Sequence, residues 1–447
     1  MDKINTKIPQ KNEKYVVKIV DYGSNGEGIA KIDGFTVFVP FALINEEVEI
    51  LIVQAKKDFA FGKVVNIIKP SVHRIDALCP YFQKCGGCQL QHMDYIQQLK
   101  YKTNFVQNCL KKYAGINECI NNCVPSNNIF GYRNKFSFPV EEVDGEVRVG
   151  MYRIASHKFV PINDCLLQQS AKPIISAFEE YANAYNIKAY NCQTKSGVKH
   201  LVCRIFDNNI LLTVVSTQKL QNLKILHEKL QKYYKNVNIC VNINKKDNNV
   251  ILGDKDYIEF GDGFLQVCEY GLNYKINNHS FMQVNNQIKH KLYDAVLENI
   301  DESDVVIDSY SGAGVLSGIM AQKCKRVYGI EIVKPAVESA NKLVEENNIA
   351  NLTNICGDCA EELPKLVEKL NNFVVVLDPP RKGCDAKVLK ALNISLPSKI
   401  IYVSCNPATL ARDLNMLKEN YNVKSVTPYD MFPQTANVET LVVLNKK

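Results

Sequence analysis

The C-terminal part of the chain alternates short apolar runs with helical stretches, and this alternation restricts the possible folds more than any other feature. Such runs follow one another after about residue 281, at residues 304–308, 326–331, 352–356, 373–378 and 399–405. The pattern is typical of a parallel sheet that is covered by helices. We therefore predict an α/β, Rossmann-like domain over residues 261–447.

Polar side chains follow several of these strands, at the edge where open α/β sheets bind ligands. Asp308 leads into Ser309-Tyr310-Ser311-Gly312-Ala313-Gly314, where glycines let a ligand approach the backbone near the start of a helix. Glu331 ends the second strand, where a carboxylate can accept hydrogen bonds from ribose hydroxyls. Asp358 and Asp378 follow the third and fourth strands. The strand ends together predict one ligand crevice.

The glycines of the first turn separate two classes of cofactor. A dinucleotide motif has a third glycine three residues after Gly314, but Ser317 stands there. The sequence therefore favours a nucleoside without a pyrophosphate over a nicotinamide cofactor. An α/β domain whose acidic strand ends are merely solvated remains the alternative without a function.

Cys405 ends the fifth predicted strand and is the candidate nucleophile. Asn406-Pro407 follows it, which breaks the strand and turns the thiol toward the crevice. A thiolate that adds to C6 of uracil makes C5 electron-rich enough to attack a methyl donor. A base must then remove the C5 proton. No histidine follows His290, so the candidate base is a carboxylate, Glu439; a buried inert thiol and a surface glutamate are the alternatives.

The remainder of the chain predicts two further domains. Strand-like runs at 15–20, 35–39, 48–53 and 61–67 predict a small antiparallel barrel of the oligonucleotide-binding kind over residues 7–69. A helical stretch at 95–113 and strand-like runs at 201–206 and 210–215 indicate a mixed α+β central domain over residues 70–260. The topology of this central domain does not follow from the pattern.

Three of the 16 cysteines, Cys79, Cys85 and Cys88, lie close together in a glycine-containing turn. In a chain whose first residues resemble no signal peptide, such a group indicates metal binding rather than disulfides. Zinc and an iron-sulfur cluster are equally compatible with the spacing, and thiols without a metal are the third possibility. The remaining cysteines considered are interpreted as ordinary thiols: Cys109, Cys119, Cys123 and Cys192.

Composition limits the location and the partners. The polar start and the lack of a long apolar segment predict a cytoplasmic protein that does not use a membrane. The net charge of +7 permits nucleic-acid binding without demonstrating it. No obligate protein partner is evident from the sequence.

Four motifs resemble those of the RNA uracil-C5 methyltransferase family, and the resemblance covers nearly the whole chain. The motifs are Asp378-Pro379-Pro380-Arg381, Ser404-Cys405-Asn406-Pro407, 430–439 and 281–285. The resemblance implies a class I methyltransferase domain in which Cys405 is the nucleophile and Glu439 the proton acceptor. It further implies an S-adenosylmethionine site that is lined by Gln283, Tyr310, Glu331 and Asp378. Two positions depart from many members, Ser311 in place of cysteine and Asn437 in place of histidine.

The same resemblance implies an N-terminal TRAM domain that binds RNA, and a 4Fe-4S cluster with Cys165 as the fourth ligand beside Cys79, Cys85 and Cys88. Relatives with this cluster act mostly on the large ribosomal subunit, so 23S rRNA is the expected substrate and transfer RNA the alternative. Cytosine-C5 methylation, with Cys384 as a second cysteine, is another rival. Arg381 argues against methylation of an exocyclic amine. A non-catalytic RNA-binding iron-sulfur protein is the rival from a different class.

Two features are candidates for contacts with RNA. A target uridine must be splayed out of its stack before a thiol can reach it, and Phe281 is a candidate stacking partner. Arg133 and Lys135, flanked by Tyr132 and Phe136, form a basic and aromatic run that suits phosphate and base contacts. A buried core phenylalanine and a solvated strand face are the respective alternatives.

Overall fold

The chain forms three large sheets and one hairpin in the computed structural model, which describes residues 8–117 and 120–447. The first residue of the predicted barrel, 7, and the predicted ordinary thiol Cys119 lie outside the described residues. Within them, no helix is long and apolar enough to cross a membrane.

The N-terminal sheet has six strands in the order β1-β5-β6-β4-β3-β2. They are β1 (Lys14–Lys18), β2 (Asp21–Tyr22), β3 (Gly28–Ile32), β4 (Phe35–Val39), β5 (Glu47–Ala55) and β6 (Phe59–Lys69). Strands β1 and β2 are at opposite ends of this order, yet only Ile19 and Val20 separate them. The sheet therefore closes on itself, as a barrel must. The four predicted strands are present, although β4 and β6 pair in parallel rather than antiparallel.

The middle of the chain forms a second sheet, in the order β13-β12-β11-β10-β7-β8-β9. Its elements are α1 (Tyr95–Ala114), β7 (Lys135–Val143), β8 (Glu146–Tyr152), β9 (Phe159–Pro161), α2 (Ala171–Ala184), β10 (Val198–Phe206), β11 (Asn209–Ser216), α3 (Leu223–Leu230), β12 (Asn236–Ile243) and β13 (Lys255–Phe260). Asp94 caps the start of α1 by accepting a hydrogen bond from the N–H of Gln97 at 2.8 Å, and Gly115 ends it in a left-handed conformation.

A hairpin and a third sheet complete the chain. Their elements are β14 (Leu265–Glu269), β15 (Leu272–Ile276), α4 (Asn286–Leu297), β16 (Val305–Ser309), α5 (Val315–Ala321), β17 (Arg326–Glu331), α6 (Lys334–Glu346), β18 (Leu352–Cys356), α7 (Cys359–Val367), β19 (Val374–Leu377), α8 (Ala386–Ser395), β20 (Lys399–Ser404), α9 (Pro407–Leu417), β21 (Tyr421–Tyr429) and β22 (Glu439–Lys446). The five predicted strands correspond to β16 to β20 within one residue at each end.

This third sheet has the order β18-β17-β16-β19-β20-β22-β21. The first five strands are parallel, and β22 inserts antiparallel between β20 and β21. Val374 and Val376 pack into the core on one face, whereas Val375 and Leu377 pack into the core on the other. Burial on both faces explains why β19 is continuously apolar. The predicted architecture, a Rossmann-like α/β domain with an N-terminal barrel and a mixed central domain, is confirmed.

Strand order reverses direction between β16 and β19, because the chain runs outward from β16 to β18 and then returns to the other side of β16. Ligands bind outside the carboxyl ends of the strands at such a reversal. The ends of β16 and β19 carry Asp308 and Asp378, so the topology itself positions the candidate site.

Residues 430–437, which precede β22, are fastened to the central domain. Gln98 Nε2 of α1 donates to Gln434 Oε1 at 3.0 Å, and the N–H of Gln434 donates to Gln98 Oε1 at 3.1 Å. The N–H groups of Gln89 and Leu90 both donate to the carbonyl of Gln434. The segment therefore reaches Glu439 along a path that is fixed by residues more than 300 positions earlier in the chain.

A fully buried ion pair between Lys102 and Asp430 is part of this attachment. Both side chains are 0% exposed, and Lys102 also donates to the carbonyl of Phe432 at 3.0 Å. Lys102→Met is expected to lower the free energy of unfolding by about 3–5 kcal/mol, because it leaves the Asp430 carboxylate buried without a counter-charge. Urea denaturation measures this difference.

The matched control is Lys365→Met, which removes the cation of the exposed Lys365–Glu362 pair and should cost less than about 1 kcal/mol. Adding Asp430→Leu to Lys102→Met should recover much of the loss. Equal effects of the two single substitutions would show that the buried pair does not hold the segment.

Candidate active site

A crevice opens at the carboxyl ends of β16 and β19, where the sheet reverses direction. Its lining includes Phe281, Asp308, Tyr310, Gly312, Leu316 and Asp378. The segment 280–282, between the hairpin and α4, covers one side. Of the residues that the sequence predicts for a cofactor site, Tyr310 and Asp378 therefore lie in one cavity.

The turn after β16 lines this crevice with residues 310–313. Tyr310 adopts a left-handed conformation with φ +69°, which costs an L residue about 1–3 kcal/mol and is characteristic of functional sites. Gly314 has φ +77° and faces Ala340, whose Cβ would be 2.7 Å from a side chain built there. A larger residue at 314 would therefore push α6 away from the turn.

Glu331, at the end of β17, is held beside the crevice by two backbone donors. Its carboxylate accepts hydrogen bonds from the N–H of Gly312 at 3.0 Å and from that of Val333 at 2.7 Å. Because Gly312 lines the crevice, Glu331 is in reach of a ligand that occupies it. Gln283 follows the lining segment directly and is 7% exposed, with its carbonyl accepting from Asn134 Nδ2 at 3.1 Å.

Two buried carboxyl groups share the floor of the crevice. Burial raises the pKa of Asp378 to about 7. Burial and the nearby carboxylates of Asp378 and Glu331 raise the pKa of Asp308 to about 7, although a hydrogen bond from Ser317 at 2.5 Å opposes the shift. Carboxyl groups with raised pKa values on the floor of a crevice suit a polar or cationic ligand.

Strand pairing places Cys405 across from Glu439. Ser404 and Thr440 are partners in the antiparallel ladder of β20 and β22, so the next residue of one strand faces the preceding residue of the other. Cys405 is partly exposed, whereas Glu439 is 2% exposed. The thiol is therefore accessible to an incoming base, whereas the carboxyl group beside it is almost inaccessible to water.

The Glu439 carboxylate raises the cost of ionising the Cys405 thiol. Burial and the carboxylates of Glu439 and Asp378 raise the pKa of the Cys405 thiol, and the guanidinium of Arg381 opposes them. Burial and Asp378 raise the pKa of Glu439 well above its ordinary value, again against Arg381. Asn406 begins α9 by capping the N–H of Ala408 at 3.1 Å, and its Nδ2 donates to the carbonyl of Arg381. Helix α9 and the Arg381 loop are thus fixed to one another.

Comparisons with known proteins agree with this geometry. The sequence model of the tRNA (uracil-5-)-methyltransferase family matches residues 94–447, and that of the TRAM domain matches residues 10–65. The chain belongs to the tRNA (uracil-5-)-methyltransferase family. This is a family of S-adenosylmethionine-dependent RNA methyltransferases, so S-adenosylmethionine as cofactor and RNA as substrate class are confirmed for this methyltransferase.

Individual relatives span the whole length of the methyltransferase. An uncharacterized RNA methyltransferase of Clostridium acetobutylicum is 39% identical over 98% of each chain. One of Halalkalibacterium halodurans is 37% identical, also over 98% of each chain. The crystal structure of a Pyrococcus abyssi tRNA (uracil-54, C5)-methyltransferase in complex with S-adenosyl-L-homocysteine is 26% identical, with a TM-score of 0.76 over 96% of this chain and 99% of that one.

Cys384, the candidate second cysteine of a cytosine-C5 enzyme, is buried. Its thiol donates to the hydroxyl of Tyr402 at 3.4 Å, and its N–H donates to Asp413 at 2.8 Å. Burial and the neighbouring Asp413 carboxylate raise its pKa to about 12, although the hydrogen bond with Tyr402 opposes the shift. A protonated thiol in this network supports the fold of the methyltransferase domain and is a poor nucleophile.

The four predicted metal ligands, Cys79, Cys85, Cys88 and Cys165, line a single small pocket. Two of the loop's own bonds shape it: the N–H of Gly87 donates to Cys85 Sγ at 3.3 Å, and the N–H of Cys79 donates to Gln91 Oε1 at 3.2 Å. The thiols are near one another, yet in the described ranges no set of three or more Cys, His, Asp or Glu side chains adopts a metal-binding geometry.

The basic and aromatic run at 132–136 is only partly suited to RNA. Tyr132 and Phe136 are 3% and 4% exposed, and Tyr132 donates to the carbonyl of Pro433 at 3.1 Å. Both rings are buried, so they are not available for the base contacts that the run predicts. Arg133 and Lys135 point to the opposite side and are partly exposed. Phe281, by contrast, is 74% exposed, so the alternative of a buried core ring does not apply to it.

Sequence reasoning missed two cations that the structure brings to the site. Lys289 of α4 lines the crevice and pairs with the buried Glu269 at 2.5 Å. Arg204 of β10 lies beneath the segment 280–282 and donates to the carbonyl of Ser280. Lys289 stands four residues after the helix cap Asn285, and this spacing could have predicted the face of α4 on which it lies. Arg204 stands among apolar residues of β10, so no sequence signal marked it.

Proposed function

We propose that this methyltransferase methylates C5 of uridine in 23S rRNA through a covalent bond between Cys405 and C6 of the base. The observation that carries the proposal is the pairing of a reachable thiol at residue 405 with a buried carboxyl group at 439, beside the crevice that contains Asp378. Methylation at C5 needs both a nucleophile for C6 and a base for the C5 proton.

The reaction begins when the Cys405 thiol releases its proton to water and its sulfur attacks C6, which moves the electrons of the C5–C6 double bond toward C5. S-adenosylmethionine bound in the crevice would supply an electrophilic methyl group, which would pass to C5 as S-adenosylhomocysteine departs. Glu439 then accepts the proton from C5. The electrons of that C–H bond rebuild the double bond and expel the Cys405 thiolate, which leaves 5-methyluridine.

Four residues are proposed to orient the cofactor. Glu331 is held by Gly312 and Val333 in a position that suits hydrogen bonds from ribose hydroxyls. Tyr310 and Asp378 line the crevice itself. Gln283 is buried beside the segment 280–282, from where its side chain can fix that segment against a bound nucleoside.

We further propose that Cys79, Cys85, Cys88 and Cys165 hold a 4Fe-4S cluster. The donor set fits, because four thiols line one pocket that is otherwise mainly apolar, with Tyr81, Phe82 and Phe138 around them. Gln89 and Leu90 follow the pocket directly and donate to Gln434 of the segment that leads to Glu439. A filled pocket would therefore stiffen the support of this segment.

The cluster proposal has a direct chemical test. Protein purified without oxygen should contain about four iron and four sulfide per chain, and Cys88→Ala should lose both. Cys192→Ala is the matched control, since Cys192 is exposed and outside the pocket. Removal of the metal should lower the melting temperature of the wild type. Zinc in place of iron and sulfide would contradict this assignment.

The choice of RNA rests on the four-cysteine set, which resembles that of relatives acting on ribosomal RNA. A uridine in transfer RNA is the second candidate, favoured by the similarity to the Pyrococcus abyssi tRNA enzyme. Mapping of 5-methyluridine in RNA from a strain that lacks the gene separates them. We expect the loss of 5-methyluridine from 23S rRNA and its return with the wild-type gene. Loss from transfer RNA alone would overturn the choice of RNA, and loss of 5-methylcytidine would overturn the choice of base.

A further inference from the structure

Arg204 is a buried cation without a counter-charge. Its side chain is 2% exposed, and its Nη2 donates to the carbonyl of Ser280. Its Nε and Nη1 atoms are buried without a hydrogen-bond partner, and none of the ion pairs in the described part of the chain includes Arg204. Burial of a charge in this state is costly unless an anion compensates it.

A second cation stands next to it. Lys135 of β7 and Arg204 of β10 are direct partners in the antiparallel ladder, so their side chains leave the sheet on the same face. Burial and the charge of Arg204 lower the pKa of Lys135 to about 8. Two neighbouring cations repel each other, which indicates a binding site for an anion that is not part of the chain.

The position of the pair identifies the anion. Ser280, which Arg204 contacts, precedes the exposed Phe281 at the edge of the crevice. Asn134, next to Lys135, donates to the carbonyl of Gln283 at 3.1 Å. The pair therefore lies under the segment that separates the crevice from the central sheet. A nucleotide whose base entered the Cys405 site beside Phe281 would carry its phosphate over this face.

We propose that Arg204 and Lys135 bind one phosphate of the RNA strand at the target uridine. Arg offers two free guanidinium donors to one phosphate, and Lys adds a point charge. The contact fixes the position of the strand without reading its sequence. The inference rests on the proposed function only in that it takes RNA to pass the Cys405 site.

One other anion is chemically similar, namely the carboxylate of the methionine moiety of S-adenosylmethionine, and the test separates the two. The affinity of Arg204→Gln for a short oligouridine strand should fall about 10-fold, which corresponds to about 1.4 kcal/mol. The slope of log affinity against log salt should fall by about 0.7, the value for one phosphate of a single strand. Affinity for S-adenosylhomocysteine should not change.

Two companion variants complete the design. Arg326→Gln removes an exposed guanidinium at the far end of β17 and should leave the salt slope unchanged. Arg204→Met should fold with a melting temperature that is not below that of the wild type, because it replaces an uncompensated buried charge with an apolar side chain.

The proposal is overturned if Arg204→Gln binds oligouridine as the wild type does, or if it loses S-adenosylhomocysteine instead. A lower melting temperature of Arg204→Met with normal RNA binding would also overturn it, since Arg204 would then be structural. These measurements use binding and stability, not methyl transfer. A failure of the proposed uridine chemistry would therefore leave their outcome unchanged.

Discussion

Cys405→Ala is expected to abolish methyl transfer, with a loss of about 10⁴-fold or more. Without the sulfur at C6, C5 of uracil remains a weak nucleophile, and no other group at the crevice edge can replace the thiolate. Cys384 cannot take over, because its thiol is buried in the network with Tyr402 and Asp413. The measurement is transfer of a radioactive methyl group from S-adenosylmethionine to RNA transcribed without modifications.

The matched control is Cys268→Ala, which removes an exposed thiol from β14 and should retain full activity. Cys405→Ala should also bind S-adenosylhomocysteine and RNA as the wild type does, because the thiol is not part of the crevice lining. Residual activity within about tenfold of the wild type would rule out covalent catalysis by this residue.

Glu439→Gln should slow turnover by about 10²- to 10⁴-fold, the range for loss of a general base. Unlike Cys405→Ala, it should still form the bond to C6 and transfer the methyl group once. A methylated covalent complex should therefore accumulate, visible as a protein band of increased mass in a denaturing gel. The double variant with Cys405→Ala should show no such band.

The dependence on pH provides a second test of Glu439. The base acts only as a carboxylate, and its pKa is raised by burial and by Asp378. The pKa of the Cys405 thiol is raised as well. Both groups must be deprotonated, so kcat/KM of the wild type should rise with pH. In Glu439→Gln, the rate of product release should no longer show the rise with pH that ionisation of the carboxyl group causes. An unchanged profile would assign the base elsewhere.

The sequence predicts the parts of the site that local pattern controls. Asp308, Glu331 and Asp378 end apolar runs of parallel strands, and such ends meet at one edge of any sheet of this class. The turn at Tyr310 and Gly314 follows in the same way from its glycines. Cys405 is similar, since the break at Asn406-Pro407 becomes the capped start of α9.

Contacts between distant segments could not be predicted in this way. Cys405 faces Glu439 only because β22 inserts antiparallel beside β20, a pairing that no local pattern specifies. The attachment of residues 430–437 to α1 through Gln98 and Lys102 joins residues separated by more than 300 positions. The position of Arg204 at the site could not be predicted, because its neighbours in β10 are apolar. The burial of Tyr132 and Phe136 could not be predicted either, because the side of a sheet to which a residue points is not known until the sheet is known.

RNA that contains 5-fluorouridine provides the most direct test of the central claim. Fluorine at C5 cannot leave as a proton, so Glu439 cannot complete the release, and the enzyme should remain bonded to C6 after methyl transfer. Mass spectrometry of the digested complex should find a methylated fluorouridine nucleotide on the peptide that contains Cys405, in the presence of S-adenosylmethionine only. A wild-type enzyme that binds this RNA and gives no adduct, or an adduct at another residue, would contradict the account.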